Sequence, residues 1–175
     1  MKYIILTTFL LLGCGSNSTT PTSTPINNDE NGSQPSAMID NNTSHTPRET
    51  IRADIVDVAQ VGGEEGNYTL RVGIKSTETG CQQYADWWEI LSADGNLVHR
   101  RVLGHPHRTE QPFRRDGVNI EIQKDTVIYI RAHMNNKGYV GDVFKGSVES
   151  GFSVVNTVPA FDAGIELEDP QPPEC

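Results

Sequence analysis

The sequence lacks any apolar run long enough to cross a bilayer as a helix. Its longest such run, from Tyr3 to Leu12, is about ten residues, whereas a spanning helix needs about 20. Aromatic residues make up only 7% of the chain, and acidic residues outnumber basic ones by 23 to 14, which gives a formal net charge of −9. This acidic balance argues against nucleic acid as a partner.

Recognised catalytic motifs are also missing. The sequence contains no Gly-x-Ser-x-Gly elbow, no His-Glu-x-x-His pair, no phosphate-cradling glycine loop and no Cys-x-x-Cys pair. We therefore expect a binding or structural module without catalytic activity. An envelope hydrolase whose active site assembles from distant residues is the alternative that motifs do not detect.

The N-terminus has the features of a secretory signal. Lys2 precedes the short apolar run, which ends at Leu11-Leu12-Gly13-Cys14. This ending resembles the lipobox of bacterial lipoproteins. The resemblance implies that residues 1–13 are removed and that Cys14 carries the lipid chains, which hold the protein on a membrane. In the Gram-negative family an Asp after the cysteine favours inner-membrane retention, so Gly15 implies the outer membrane, with the domain in the periplasm or at the cell surface.

Composition divides the remainder into three parts. Residues 14–50 are rich in Ser, Thr, Asn and Pro and are predicted to be a disordered linker, because such a segment buries too little apolar area to offset its ordering entropy. Residues 51–158 are the predicted folded domain, and residues 159–175 are an acidic, proline-rich tail. If Cys14 carries lipid, Cys81 and Cys175 remain; an exported protein can join them in a disulfide, or they are free or separately paired.

Alternating apolar and polar residues predict strands throughout residues 51–158. In Tyr68 to Lys75, one face carries Tyr68, Leu70, Val72 and Ile74, which is the period of a half-buried strand. Tyr84–Ser92 and Leu97–Leu103 flank Asp94-Gly95 and are predicted to form a hairpin. The pattern predicts about seven short strands in one antiparallel β-sandwich; the remaining predicted strands are Asp54–Val61, Val118–Ile122, Thr126–Met134 and Val143–Val155.

The predicted domain resembles an immunoglobulin-like or fibronectin type III-like module. The stretch Ile130 to Tyr139 looks like the penultimate strand and following loop of the latter family, although Thr126 stands where that family commonly has its corner tyrosine. The resemblance implies a sandwich fold and no particular activity, because this architecture hosts many functions.

The segment 104–116 is the most unusual part of the predicted domain. His105 and His107 flank Pro106, and in an extended chain they point to the same side. Neutral imidazoles bind zinc or copper, so we considered a metal site completed by His133, His99 or Glu110. The alternative is a pair of histidines that are solvated or hydrogen-bonded to backbone.

A second hypothesis for this region is an anionic ligand. Five arginines fall within sixteen positions, and guanidinium groups bind carboxylate or phosphate in bidentate fashion; they are Arg100, Arg101, Arg108, Arg114 and Arg115. Candidate partners are an acidic glycan, a lipid headgroup or another envelope protein. The simpler alternative is neutralisation by the protein's own acidic tail, through Glu166, Glu168 and Asp169.

The two tryptophans are adjacent, so on a strand they face opposite sides. Because Ile90 shares the face of Trp88, we expect Trp88 in the core and Trp87 on the outer surface. An outer Trp87 is expected to stack on an arginine of the neighbouring strand. The functional alternative is a platform for a sugar ring, with Tyr139 as a second aromatic.

Overall fold

A computed structural model describes residues 49–156 and 159–175. In this part of the chain, eight antiparallel strands form two sheets, so the all-β sandwich predicted from the sequence is confirmed. The strands are β1 (Ala53–Glu64), β2 (Asn67–Ser76), β3 (Ala85–Ser92), β4 (Leu97–Val102), β5 (Phe113–Ile120), β6 (Ile128–Met134), β7 (Val143–Ser147) and β8 (Gly151–Val155).

The first sheet has the order β1-β2-β5, and the second has the order β4-β3-β6-β7-β8. Between them lies a core of aliphatic side chains from the inward positions of both sheets, with Trp88 fully buried among them. The hairpin predicted around Asp94-Gly95 is present as β3 and β4, and Gly95 adopts the left-handed φ of 86° that such a turn requires. The predicted core position of Trp88 is likewise confirmed.

Two strand predictions need correction. The last predicted strand is a hairpin, β7 and β8, because the segment reverses at Ser147 to Gly151, which raises the strand number above the predicted seven. Strand β5 begins at Phe113 rather than Val118. Phe113 is buried opposite Ile74, so it anchors a strand whose next residues, Arg114, Arg115 and Asp116, have the composition of a loop.

The C-terminal segment, defined here as residues 159–175, packs against the second sheet. It contains a short 3-10 helix, Ala163–Leu167, capped by the Asp162 side chain, which accepts from the Gly164 backbone N–H. Ile165 of this helix is buried in a second apolar cluster with Leu91, Tyr129 and Val143. Every residue of β6 is buried, including those on its outward face, Tyr129, Arg131 and His133.

Several predictions concern residues outside this description. The signal peptide 1–13, the lipidated Cys14 and the linker up to residue 48 all lie there. In the residues that the structure does describe, no helix is both long enough and apolar enough to cross a membrane.

Candidate anion-binding site

An open hollow lined by four arginines lies where β4 meets the first sheet. Arg71 comes from β2, Arg101 from β4, and Arg114, Arg115 and Asp116 come from β5. The strand register brings them together, because Arg71 pairs directly with Asp116 and Gly73 with Arg114. We call this surface the arginine groove.

Three of these arginines are paired with carboxylates. Arg71 makes a bidentate salt bridge with Asp116, with hydrogen bonds of 2.7 and 2.9 Å. Arg114 lies 2.6 Å from Asp57, and Arg115 lies 3.0 Å from Glu110. The hydrogen bond from Arg71 lowers the pKa of Asp116, so that carboxylate stays ionised. The Arg71 and Arg114 side chains are about half exposed, and such exposed pairs contribute little net stability. A ligand can therefore compete for these guanidinium groups at small cost.

Arg101 differs from the other three because its contacts within the described chain are to carbonyl oxygens. Its Nε donates to the Asp116 carbonyl at 3.1 Å, and its Nη1 donates to the Val102 carbonyl at 2.7 Å. Carbonyl contacts orient the guanidinium without neutralising it. The salt bridges of the groove neutralise Arg71, Arg114 and Arg115. The remaining positive charge of the groove is that of Arg101.

The five arginines singled out from the sequence do not form one patch. Arg101, Arg114 and Arg115 line the groove, Arg108 is exposed on the preceding loop, and Arg100 is buried on the other side of β4. Neighbouring strand residues point to opposite faces, which separates Arg100 from Arg101. Sequence reasoning missed Arg71, since only the β2–β5 register places it here.

Arg100 belongs to a buried charge network on the outer face of the second sheet. Its Nη2 lies 2.7 Å from Glu89 Oε2, and Arg131 Nη2 lies 2.7 Å from Glu89 Oε1. Glu89 and Arg100 have fully buried side chains, and that of Arg131 is 9% exposed. One carboxylate thus compensates two buried cations, and the C-terminal segment supplies Arg100 with backbone carbonyls. The expected neutralisation by the tail therefore uses main-chain oxygens for Arg100, not the carboxylates of Glu166, Glu168 and Asp169.

The alternative of Trp87 as an exposed sugar platform is wrong, because the residue is only 4% exposed. It stacks on His133 with ring centroids 3.7 Å apart, and the Arg100 guanidinium lies 4.6 Å from its ring centroid. Trp87 therefore matches the expected stacking on an arginine. The Tyr139 hydroxyl accepts a hydrogen bond from the Trp87 indole N–H at 3.3 Å, and the Arg131 guanidinium lies over the Tyr139 ring, so one face of this ring also has a protein partner. Burial raises the pKa of Tyr139.

The histidines proposed as metal ligands are in different surroundings. His133 Nδ1 lies 2.6 Å from Asp86, beneath the C-terminal segment. His107 is buried against Phe113, with its backbone N–H donating to Glu78, and His105 is exposed with its ring centroid 4.6 Å from that of His107. Across residues 49–156 and 159–175, no three His, Cys, Asp or Glu side chains are grouped so as to hold a metal ion. The structure thus does not bring His133 to the other two.

Cys81 and Cys175 form a disulfide, with their Cα atoms 5.6 Å apart. The bond ties the last residue of the C-terminal segment to the loop before β3. Asn135 reinforces this loop, because its side-chain amide donates to the Cys81 carbonyl at 2.8 Å. The segment is therefore held at its far end by a covalent bond. Along its length it is held by the hydrogen bonds from Arg100 and by the packing of its own Ile165.

His99 gives the fold a pH dependence that the sequence did not reveal. Its ring packs against Trp88 beside Gly117, where an added Cβ would lie 2.8 Å from His99 Nε2. Burial, and then the charge of Arg101, lower the pKa of His99 below the usual 6.5. The unfolded chain therefore binds a proton more readily than the folded one, and stability increases with pH through the region below about 6.5.

We expect the urea midpoint of the wild-type protein to fall as the pH is lowered from about 7 to about 5. In His99→Gln this fall should be smaller, because the variant no longer has the buried imidazole. Unfolding followed by tryptophan fluorescence at several pH values measures both. Parallel pH profiles for the two proteins would exclude His99 as the source, leaving His107, whose pKa burial also lowers.

Comparison with known proteins gives one informative relative. A protein of Halomicrobium mukohataei named "Putative lipoprotein" is 33% identical over 102 residues, which are 57% of this chain and 49% of the relative. The chain thus spans about half the length of that curated protein. No family model matches the sequence, and no solved structure matches it significantly.

Proposed function

We propose that the chain is a lipid-anchored, non-catalytic module of the cell envelope that binds an anionic glycan through the arginine groove. The lipid anchor is supported by the lipobox-like Leu11-Leu12-Gly13-Cys14 and by the name of the relative. An outer-membrane location, inferred from Gly15, belongs to the same proposal. Mass spectrometry of the native protein tests the anchor: a diacylglyceryl-modified Cys14 at the N-terminus is expected, and an intact Met1 with a free thiol would contradict it.

We further propose that the sandwich is an immunoglobulin-like or fibronectin type III-like domain. The strand orders β1-β2-β5 and β4-β3-β6-β7-β8 support this, since the chain crosses from one sheet to the other between β2 and β3, and again between β4 and β5 and between β5 and β6. Such modules commonly bind partners through their sheet faces and end loops, which agrees with a binding role here.

The observation that carries the ligand proposal is the contrast between the groove and the opposite end of the sandwich. In the described residues, Arg101 forms no salt bridge with a carboxylate. Positive charge is added by the exposed Lys75 on β2 and by the exposed Arg108 on the loop before β5. The far end, by contrast, carries exposed acidic residues around Lys124; they are Glu64, Glu65, Glu121, Asp125 and Glu149. An anionic polymer therefore meets attraction at the groove and repulsion at the far end.

The test uses dextran sulfate as a polyanionic glycan and uncharged dextran as its matched control. We expect the wild-type protein to bind dextran sulfate with an affinity that falls as the salt concentration is raised. It should not bind uncharged dextran. The double variant Arg71→Gln/Arg101→Gln should bind at least about tenfold more weakly, since it loses two charge-assisted contacts. Titration calorimetry or biolayer interferometry measures the change.

A double variant away from the groove, Lys124→Gln/Lys137→Gln, changes the net charge by the same amount and should keep wild-type affinity. Equal losses in the two double variants would show that overall charge, not the groove, determines binding. Vesicles of phosphatidylglycerol and of phosphatidylcholine distinguish a lipid surface from a glycan. Preference for phosphatidylglycerol over dextran sulfate would overturn the glycan proposal.

A further inference from the structure

The outer face of the second sheet binds the backbone of the C-terminal segment. Arg100 Nη2 donates to the Ile165 carbonyl at 2.6 Å, and Arg100 Nη1 donates to the Glu168 carbonyl. The 3-10 turn presents these two carbonyls, three residues apart, to one guanidinium. Glu89 holds that guanidinium in place from the sheet side.

Two side chains of the segment pack against side chains of the sheet. Ile165 is 3% exposed among Leu91, Tyr129 and Val143. Phe161 makes an edge contact with Tyr129, ring centroids 5.4 Å apart, and the Arg131 guanidinium lies 5.0 Å from its ring centroid. The face therefore offers an apolar site, an aromatic wall and two oriented cations.

The C-terminal segment is separable from the sandwich itself. It pairs with no strand of either sheet within the described residues, and its one core residue, Ile165, belongs to the smaller cluster rather than to the inter-sheet core. Its withdrawal would leave every strand ladder intact. It would also remove the two carbonyls that Arg100 binds and uncover the apolar site of Ile165.

We propose that this face is a peptide-binding site whose resident ligand is the protein's own C-terminal segment. The ligand class is a short turn-forming peptide with an aromatic residue, an aliphatic residue four positions later and an acidic residue directly after it. The acidic position corresponds to Glu166, whose carboxylate lies 4.0 Å from His133 Nε2. The site is distinct from the arginine groove, so either proposal can fail without the other.

The experiment releases the resident segment from a folded protein. In a Cys81→Ser/Cys175→Ser chain, a protease site inserted after Asn156 is cut, so that the C-terminal fragment is held by contacts alone. The cut fragment is removed by gel filtration in mild urea, a fluorescent peptide with the sequence of residues 161–174 is added after the urea is withdrawn, and its anisotropy is measured. We expect saturable binding to the cut protein and none to the intact, disulfide-closed protein, whose site is already filled.

Peptide variants test the chemistry of recognition. The Ile165→Ala peptide should bind at least about tenfold more weakly, because the lost side chain fills an apolar site. A peptide with the same composition in scrambled order should not bind. Equal binding by all three peptides would overturn the proposal, since it would show non-specific adhesion.

When the fragment leaves the cut protein, the sandwich either stays folded or unfolds, and each case tests the proposal. If the remaining sandwich stays folded, absence of peptide binding overturns the proposal. If the sandwich unfolds when the fragment leaves, addition of the peptide should restore the tryptophan fluorescence and the circular dichroism spectrum of the folded protein. Failure to restore them with excess peptide would also overturn it.

Discussion

Replacing Glu89 by Gln should lower the free energy of unfolding by about 3–5 kcal/mol. The substitution keeps the size of the side chain but removes the negative charge that lies between Arg100 and Arg131. Both guanidinium groups are then buried without a charged partner, and the C-terminal segment offers Arg100 only carbonyl oxygens. Urea unfolding followed by tryptophan fluorescence measures the loss.

The matched control is Glu110→Gln, the same chemical change in an exposed pair. Glu110 bonds Arg115 at 3.0 Å, and its side chain is 53% exposed, so the expected loss is below about 1 kcal/mol. Similar losses in the two variants would mean that water reaches the Glu89 network and that its burial is not what makes it important.

This network also shows where sequence-based prediction ends. Period-two alternation places Trp88, Ile130 and Ala132 in the core, and the structure agrees. The same alternation places Glu89, Arg131 and His133 on the outer face of the sheet, and their side chains do point to that face, although they are buried. Alternation carries no information about whether another segment covers that face. Exposure was therefore mispredicted for Trp87, which His133, Tyr139 and Arg100 cover.

The arginine groove shows a second limit. The density of arginines between Arg100 and Arg115 suggested an anionic ligand, but the groove depends on which residues stand opposite one another. Arg71 is about 30 to 45 positions from Arg101 and Asp116, and the pairing of β2 with β5 alone brings it to Asp116. The strand that creates this pairing begins with Phe113-Arg114-Arg115-Asp116-Gly117, whose charges and glycine hide its strand character.

A double substitution, Cys81→Ser/Cys175→Ser, should lower the free energy of unfolding by about 2–5 kcal/mol. The two cysteines are 94 positions apart, so the bond closes a long loop and restricts the unfolded chain strongly. The wild-type protein in excess reductant should lose about the same amount, because both treatments remove the same cross-link. Urea unfolding with and without dithiothreitol makes the comparison.

The folded state should change much less than the stability. In the double variant, Arg100 still binds the Ile165 and Glu168 carbonyls, and Ile165 still fills its apolar site, so the C-terminal segment should stay on the sheet. Hydrogen exchange of the Ile165 and Glu168 amides, which are hydrogen-bonded within the segment, should therefore match the wild type. Loss of protection at these amides in the double variant would contradict this expectation, because it would make the covalent bond, rather than recognition by the sheet, the reason that the segment stays in place.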